Sequence, residues 1–439
     1  MKNKIIEIFK NKNIAILGFG KEGKSSYKFL RNNLKNEKIT IIDQNTELNK
    51  HDDLFINDKN IDFVLGADYL ENLNKYDIII KSPGIKIPES KVDLNKVTSQ
   101  IEIILEIDRK NIIGITGTKG KSTTSSLLYK VLKDQNRDCL LLGNVGNPIF
   151  DYIDQINENT ILIIEMSSYQ LDLVHLSPHI SVLLNLFEDH LNYHKTIEAY
   201  HLAKLNIFKY QTTDDYSLYT STCENTKKYI TKTNYNSNII DINNEFTIKN
   251  DNVYYKNIRV YDTKTERLLL GKHNLSNILF VIYIAILLKL DLNKCTKTIN
   301  TFKPLEHRME KVGTFNNITY YNDSIATIPE ATINCLEAYK DVDTLIFGGQ
   351  DRGIDYQILI DYLNNSNVNN FICMKDTGYK LAPYIKKGKV YKAETLEDAV
   401  DIAKKVTKTA CLLSPAAPSY NAFKNFEEKG NKYKELVKK

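Results

Sequence analysis

Short apolar runs alternate along this chain with segments whose apolar positions return every three or four residues. Runs at 13–17, 38–42 and 77–81, at 111–115, 139–142, 160–165 and 180–186, and at 318–321, 344–347, 370–374 and 409–413 have the length and bounding residues of buried strands. Helical spacing opens near Lys24, runs through 121–135 with Leu127, Leu128, Val131 and Leu132 on one face, and returns at 197–208. The most apolar stretch, 278–288, is too short to span a bilayer and reads as a buried helix. Strand–helix alternation of this kind predicts an α/β chain with mostly parallel sheets. Between 214 and 270 the pattern changes to short Tyr-, Thr- and Ile-rich runs, which predict a small β region with a hairpin about Asn250-Asp251-Asn252. A polar stretch at 89–96 reads as a linker, and a second boundary falls near Lys303-Pro304. Three domains are expected, 1–97, 98–302 and 303–439, the middle one carrying the small β region.

The chemistry concentrates where strands end. The run at 111–115 is followed by GTKGKST, from Gly117 and Thr118 through Lys119, Gly120, Lys121 and Ser122 to Thr123. Strand, glycine turn and helix make a phosphate cradle: glycines bring backbone N–H groups close, and the helix N-terminus adds a positive dipole end. Lys121 is placed to reach terminal phosphates, and the Ser122 or Thr123 hydroxyl to face Mg²⁺. Ile115 stands where the strict P-loop pattern has its first glycine, so the loop is a variant. Nearer the N-terminus, GFGKEG (Gly18, Phe19, Gly20, Lys21, Glu22, Gly23) follows the first strand, and Asp43 ends the second. That is a Rossmann-like dinucleotide fingerprint. Read alone it fits NAD(H) with Asp43 on a ribose hydroxyl, a glycine turn that merely packs helix on strand, or a uridine diphosphate in the same crevice. Glu165 ends the run at 160–165, and Glu188-Asp189-His190 follows the run at 180–186. Both fall on the side of a parallel sheet where the P-loop lies. A carboxylate and an imidazole there fit a Mg²⁺ site, although His190 also fits a hydrogen-bonded loop histidine. On pattern alone Lys204, among apolar neighbours in HLAKLNIF, reads as a snorkelling surface residue.

Composition narrows the partners. The chain has 439 residues and a net charge of +5, which suits small anions and does not demand nucleic acid. Tyrosines are spread out, and no basic block carries interleaved aromatics. The six cysteines are far apart without metal-ligand spacing, which predicts reduced thiols in a cytoplasmic protein. The N-terminal apolar run is too short for a signal peptide, and no membrane association is expected.

Taken together, GFGKEG, SPGI, GTKGKST, GNVGNP, EMSSYQL, NLFEDHLNYH, AKLNIF, GKHNLSN, EHRME, NDSIAT, GGQDRG and LSPAAPSYNAFKNFEEKG span nearly the whole chain. In order and spacing they resemble the Mur ligases, ATP-dependent amide-forming enzymes of cell-wall precursor synthesis. SPGI and the closing SPAAPSYNAFKNFEEKG point to the D-glutamate-adding branch. The resemblance implies a monomer with small-molecule substrates, UDP-N-acetylmuramoyl-L-alanine and D-glutamate, and an acyl-phosphate intermediate. It implies a Rossmann-like first domain for UDP, a P-loop ATPase domain, and a Rossmann-like third domain that closes over both and holds the amino acid. GFGKEG then serves UDP, through Gly18, Phe19, Gly20, Lys21 and Asp43, with Ser82, Pro83, Gly84 and Asn144. Lys121 and Ser122 sit on phosphate and Mg²⁺, with two ions expected. Glu165 and His190 become metal ligands, and Lys204 matches a lysine carbamylated by CO₂, which supplies an anionic oxygen. Asn274 and Asn277 match adenine contacts, and Arg308 and Asp323 further nucleotide contacts. Thr327, Arg352, Ser419, Tyr420 and Phe426 match the D-glutamate pocket. Two positions depart from the family: Ile325 replaces the lysine usual in NDSKAT, and Arg352 replaces the lysine after GGxD. Arginine can grip a carboxylate bidentately, so Arg352 is expected on the side-chain carboxylate of D-glutamate.

Overall fold

A computed structural model describes residues 1–48, 53–55, 58–144 and 148–439; residues 145–147 of the GNVGNP string lie outside them. The chain divides into two compact units, residues 1–265 with 277–299 and residues 266–276 with 300–439.

The first unit opens with a parallel sheet of β1 (Ile14–Leu17), β2 (Ile39–Asp43), β3 (Ile61–Leu65), β4 (Ile78–Lys81) and β5 (Val97–Thr98), in the order β3-β2-β1-β4-β5. Both faces are covered. Ile14 and Ile16 enter one apolar cluster, and Ala15 and Leu17 enter another. That is why these strands read as continuous apolar runs and not as alternation. From β1 the chain moves outward to β2 and β3 on one side and then crosses back to β4 on the other, so a crevice opens at the carboxyl ends of β1 and β4. The helix after β1, Lys21–Asn33, starts directly on Gly20, earlier than the Lys24 expected from apolar spacing, because Gly20 is its N-cap. The stretch expected as a linker holds two single turns, Glu89–Lys91 and Leu94–Lys96, and runs straight into β5.

The same unit contains a second parallel sheet of β6 (Ile112–Thr116), β7 (Cys139–Gly143), β8 (Ile161–Glu165), β9 (Ile180–Leu183), β10 (Tyr216–Tyr219) and β11 (Asn238–Asp241), ordered β11-β10-β9-β6-β8-β7. The P-loop strand β6 is therefore interior, with β8 and β9 on either side. β9 stops at Leu183, short of the expected Leu186, because Asn185 turns aside to hold the P-loop. The expected β region is partly different. β10 and β11 extend the parallel sheet with a helix, Glu224–Ile230, between them. Only β12 (Phe246–Lys249), β13 (Asn252–Tyr255) and β14 (Ile258–Asp262) form an antiparallel ribbon, with Asn250 and Asp251 at positive φ in the hairpin turn.

The second unit carries β15 (Glu310–Phe315), β16 (Ile318–Asn322), β17 (Val342–Phe347), β18 (Asn370–Met374), β19 (Lys389–Ala393) and β20 (Ala410–Leu413), ordered β15-β16-β20-β17-β18-β19. All pairs are parallel except the hairpin β15–β16. No helix among the described residues is long and apolar enough to cross a membrane.

Candidate active site

The P-loop is shaped by two glycines that admit no side chain. Gly117 has φ 154° and Gly120 φ 87°. A Cβ on Gly120 would stand 2.8 Å from Asn277 Oδ1, so Asn277 lies against the loop. Asn185 clamps the loop from β9: its Oδ1 accepts from the Lys119 N–H at 2.8 Å and its Nδ2 donates to the Lys119 carbonyl at 3.0 Å. The Thr118 hydroxyl accepts from the Phe187 N–H at 2.9 Å and from the Tyr200 hydroxyl at 3.1 Å. Lys121 opens the helix Lys121–Asp134, and its ammonium folds back onto the carbonyls of Gly117 at 2.8 Å and Thr118 at 3.1 Å. Ser122 and Thr123 are buried in the first turn.

Glu165 closes β8 and is 1 % exposed. Asn144 holds it twice: the Asn144 N–H donates to the Glu165 carbonyl at 3.0 Å, and the side-chain amide donates to Oε1 at 2.8 Å. Oε2 is buried and without a hydrogen-bond partner among the described residues. A dry, unpaired carboxylate oxygen is costly unless a cation completes it. His190 sits at φ 54°, with Nδ1 3.0 Å from the Tyr169 hydroxyl. Burial, with Lys204, Lys121 and Lys119 adding to it and Asp189 opposing, lowers His190 to about 4, so the ring is neutral, as a metal ligand must be. Among the described residues no group of three His, Cys, Asp or Glu converges as a ready metal cage. A serine hydroxyl, one carboxylate and room for phosphate oxygens nevertheless fit Mg²⁺, which takes few protein ligands.

Lys204 is not a snorkelling surface lysine. It is 2 % exposed, on the helix Ile197–Lys209, and its Nζ donates to the Gly117 carbonyl at 2.9 Å and the Thr116 hydroxyl at 3.3 Å. Burial, reinforced by Lys121, holds its amine well below the usual lysine range, against the pull of Asp189 and Glu165. Helical spacing could not reveal this, because the partners that bury Lys204 come from β6 and the P-loop.

At the first sheet, the glycine turn is closed from within. Asp43 Oδ2 accepts from the Phe19 N–H at 2.7 Å and its Oδ1 from the Asn45 N–H at 2.9 Å. The Ser82 hydroxyl donates to the Gly18 carbonyl at 2.8 Å. The Phe19 ring is buried against Tyr27 and Phe55, so this residue offers a ligand its backbone. Gly20, Lys21 and Gly84 are exposed, and Pro83 is half-buried. The turn thus presents Gly20, Lys21 and a helix N-terminus at the crevice mouth.

In the second unit three adjacent strands, β16, β20 and β17, bring the remaining candidates to one edge. Asp323 follows β16, is buried, and accepts from the Met309 N–H at 3.1 Å and the Ser414 hydroxyl at 3.0 Å. Burial raises it to about 7. Arg308 lies beside it. The Gln350 N–H donates to the Pro418 carbonyl at 2.8 Å, tying the loop of Arg352 to that of Ser419. The Ser419 hydroxyl is buried without a partner among the described residues, while Arg352 and Tyr420 are exposed and Thr327 half-buried. The Phe426 carbonyl accepts from the Ser324 hydroxyl at 3.0 Å. Asn274 spends its amide on the Leu270 carbonyl at 2.7 Å. Sequence reasoning passed over Asn185, Tyr169, Tyr200 and Asp189. Asp189 stands in the EDH string directly before His190, the residue of that string that drew notice. Its carboxylate faces Lys119 at 3.6 Å, and Glu188 beside it is exposed.

Residues 115–285 match the Mur ligase middle domain, and residues 12–104 match the Mur ligase MurD-like N-terminal domain. The UDP-N-acetylmuramoylalanine–D-glutamate ligase of Acetivibrio thermocellus is 32 % identical, over 98 % of this chain and 96 % of its own. That of Clostridioides difficile is 33 % identical over 98 % of both. In fold, the chain resembles the MurF ligase of Thermotoga maritima in complex with ADP, with a TM-score of 0.60, 16 % identity and coverage of 97 % and 95 %. The MurC of the same organism gives a TM-score of 0.58 at 16 % identity, covering 98 % and 99 %. Near-full-length identity to enzymes of one activity goes beyond shared architecture: the chain belongs to the Mur ligase family, on the branch of the UDP-N-acetylmuramoylalanine–D-glutamate ligases.

Proposed function

We propose that the chain joins D-glutamate to UDP-N-acetylmuramoyl-L-alanine at the expense of ATP, as a cytoplasmic monomer. The observation that carries this reading is the arrangement behind the P-loop: the buried Glu165 Oε2, without a hydrogen-bond partner among the described residues, and the buried Lys204 amine, held well below the usual lysine range and 2.9 Å from the Gly117 carbonyl. A neutral amine can add to CO₂, forming an N–C bond and losing a proton, and the resulting carbamate is an oxygen anion where an ordinary lysine offers none. Ser122, Glu165, His190 and carbamylated Lys204 are then the residues that hold Mg²⁺. When bound, the ion neutralises phosphate charge and polarises the phosphoryl group.

The chain's own groups do the rest. Lys121 swings from its carbonyl partners onto the γ-phosphate and lowers its repulsion toward the incoming carboxylate. Carboxylate oxygen attacks phosphorus, ADP leaves, and an acyl phosphate forms. The amine of D-glutamate attacks the acyl carbon, phosphate leaves, and the nitrogen loses a proton. Cations beside that carbon stabilise the tetrahedral oxyanion. Arg352 and Ser419 bind D-glutamate, and the turns at Gly18–Gly23 and Ser82–Gly84 bind the UDP end. ATP lies on Gly117–Thr123, with Asn277 against the loop as a further contact.

The test is phosphate release from ATP with Mg²⁺ and UDP-N-acetylmuramoyl-L-alanine, adding D-glutamate, L-glutamate, L-lysine or meso-diaminopimelate in turn. Release that requires D-glutamate is expected. Release with another amino acid overturns the pocket assignment, and release without either substrate overturns the ligase reading.

A further inference from the structure

Glu22, Lys81 and Gln170 take no part in the chemistry above, yet they meet between the first sheet and the P-loop sheet of the first unit. Glu22 lies in the first turn of the helix after the glycine turn, and Lys81 ends β4 just before Ser82. Gln170 lies in the helical turn Ser168–Leu171 that follows β8 and Glu165. With Tyr169 and Ser99 they line a cavity of about 20 Å³, room for one water.

The Gln170 amide is oriented by its partners. Its Oε1 accepts from the Ser167 N–H at 2.9 Å and from the Ser167 hydroxyl at 3.0 Å. Nε2 is left to donate, and it meets Glu22 Oε1 at 2.8 Å. Glu22 is gripped again through its backbone, whose carbonyl accepts from Gln100 Nε2 at 3.1 Å. Gln100 in turn donates to the Ser26 hydroxyl at 2.9 Å and accepts from the Phe150 N–H at 3.2 Å. Lys81 is 6 % exposed, touches the Ser82 carbonyl at 3.4 Å, and is balanced by the charges of Asp172 and Glu22. Burial raises Glu22 to about 7 and lowers Lys81 to about 8. The turn that carries Gln170 also carries Tyr169, whose hydroxyl meets His190 at 3.0 Å. One short segment therefore touches the glycine turn at one end and the Glu165–His190 site at the other.

We propose that the Gln170–Glu22 hydrogen bond is a strut that fixes the turn Gly18–Gly23 relative to Glu165 and His190, making both residues positioning residues for ligation; the inference rests on the ligase reading above. The UDP-substrate is anchored at its diphosphate and reacts at the carboxylate of its far end. The separation of the two sites then decides whether that carboxylate reaches the γ-phosphate. Reactions of this kind lose on the order of 10²-fold for a misplacement of about 1 Å. A buried side-chain hydrogen bond whose donor and acceptor are both oriented by further partners is well suited to hold such a separation.

The test compares Gln170→Ala, Glu22→Ala, the double variant and Glu22→Gln, which keeps the acceptor, with the intact enzyme in steady-state ligation. Melting temperatures are recorded alongside. Each alanine variant is expected to lower kcat roughly tenfold while the KM for ATP stays within about twofold. The double variant falls no further than the worse single, and Glu22→Gln recovers most of the loss. Lower melting temperatures with unchanged kcat would overturn the strut, leaving a purely structural network. So would additive losses in the double variant. An inactive wild type removes the ligase reading and the strut together, whereas an active wild type with unperturbed variants removes the strut alone.

Discussion

Replacing Gly23 with alanine perturbs one binding turn and leaves the other untouched. A Cβ at this position would stand 2.0 Å from the Gly18 carbonyl oxygen, 3.0 Å from its carbon and 3.3 Å from the Ser82 hydroxyl. Carbon and oxygen come no closer than about 3.3 Å in weak contacts, so the helix Lys21–Asn33 must back away by roughly 1.3 Å. It cannot do so freely, because Tyr27, Phe29 and Leu30 bury its inner face. Overpacking of this kind costs about 1–3 kcal/mol. The melting temperature should fall by roughly 2–4 °C for each kcal/mol. The functional loss should be larger, because the displaced element is the helix N-terminus proposed above to receive the diphosphate. On the order of 10²-fold in kcat/KM for the UDP-substrate is expected. Gly20→Ala is the matched control for stability, since a Cβ there meets nothing within 4 Å and φ is −73°. Its melting temperature should match wild type, while UDP affinity falls because the methyl occupies the crevice mouth. The assay is calorimetric titration of UDP and of ATP, with steady-state kinetics for both substrates. Wild-type UDP affinity in Gly23→Ala, or a comparable loss for ATP, would refute the assignment of this turn to the diphosphate.

Three further outcomes are open to measurement. Lys204→Ala should lose on the order of 10²–10³-fold in kcat, small carboxylates such as acetate should restore part of it, and ¹³C-bicarbonate should give a carbamate resonance in wild type alone; full activity in the plain variant rules out the carbamate. Arg352→Ala should raise the KM for D-glutamate roughly 10- to 100-fold, the worth of a charge-assisted pair, with the KM for ATP unchanged; an unaltered D-glutamate KM would end that role. Burial raises Glu22 from 4.5 to about 7, so between those values the folded chain binds more protons than the unfolded one and stability falls as pH rises. Glu22→Gln should abolish that component, seen as a urea midpoint less sensitive to pH from 5 to 7.5; an identical pH dependence in both proteins would show that Glu22 does not titrate there.

The strands were legible in the sequence because both faces of these parallel sheets are covered, which forces apolar residues at successive positions. The glycine turns were legible for a similar reason: Gly117 and Gly120 hold backbone angles that an L-residue resists, and their neighbours leave no room for Cβ. Less legible was the stretch 214–270, where Tyr-, Thr- and Ile-rich runs served equally for an added parallel edge and for an antiparallel ribbon. β-preference reports a half-buried pleated surface and is silent on the partner strand. The short helix Glu224–Ile230 escaped because only Thr226 and Ile230 face inward, too few to make a period.

What the chain determines by itself is the order of its elements and the types of its reactive groups, since both follow from local spacing and side-chain chemistry. The tertiary structure alone decides the state of those groups. Lys204 lies on a helix whose spacing could equally be read as surface. Its amine is held well below the usual lysine range because β6 and the P-loop exclude water from it and Lys121 adds like charge. Glu165 keeps one buried oxygen without a hydrogen-bond partner among the described residues, because Asn144 satisfies Oε1 and nothing described reaches Oε2. Asp43 carries the fingerprint of a ribose ligand, yet the fold spends its carboxylate on the Phe19 and Asn45 N–H groups. Protonation, solvation and partner choice depend on atoms brought together from distant parts of the chain, and no local pattern carries that information.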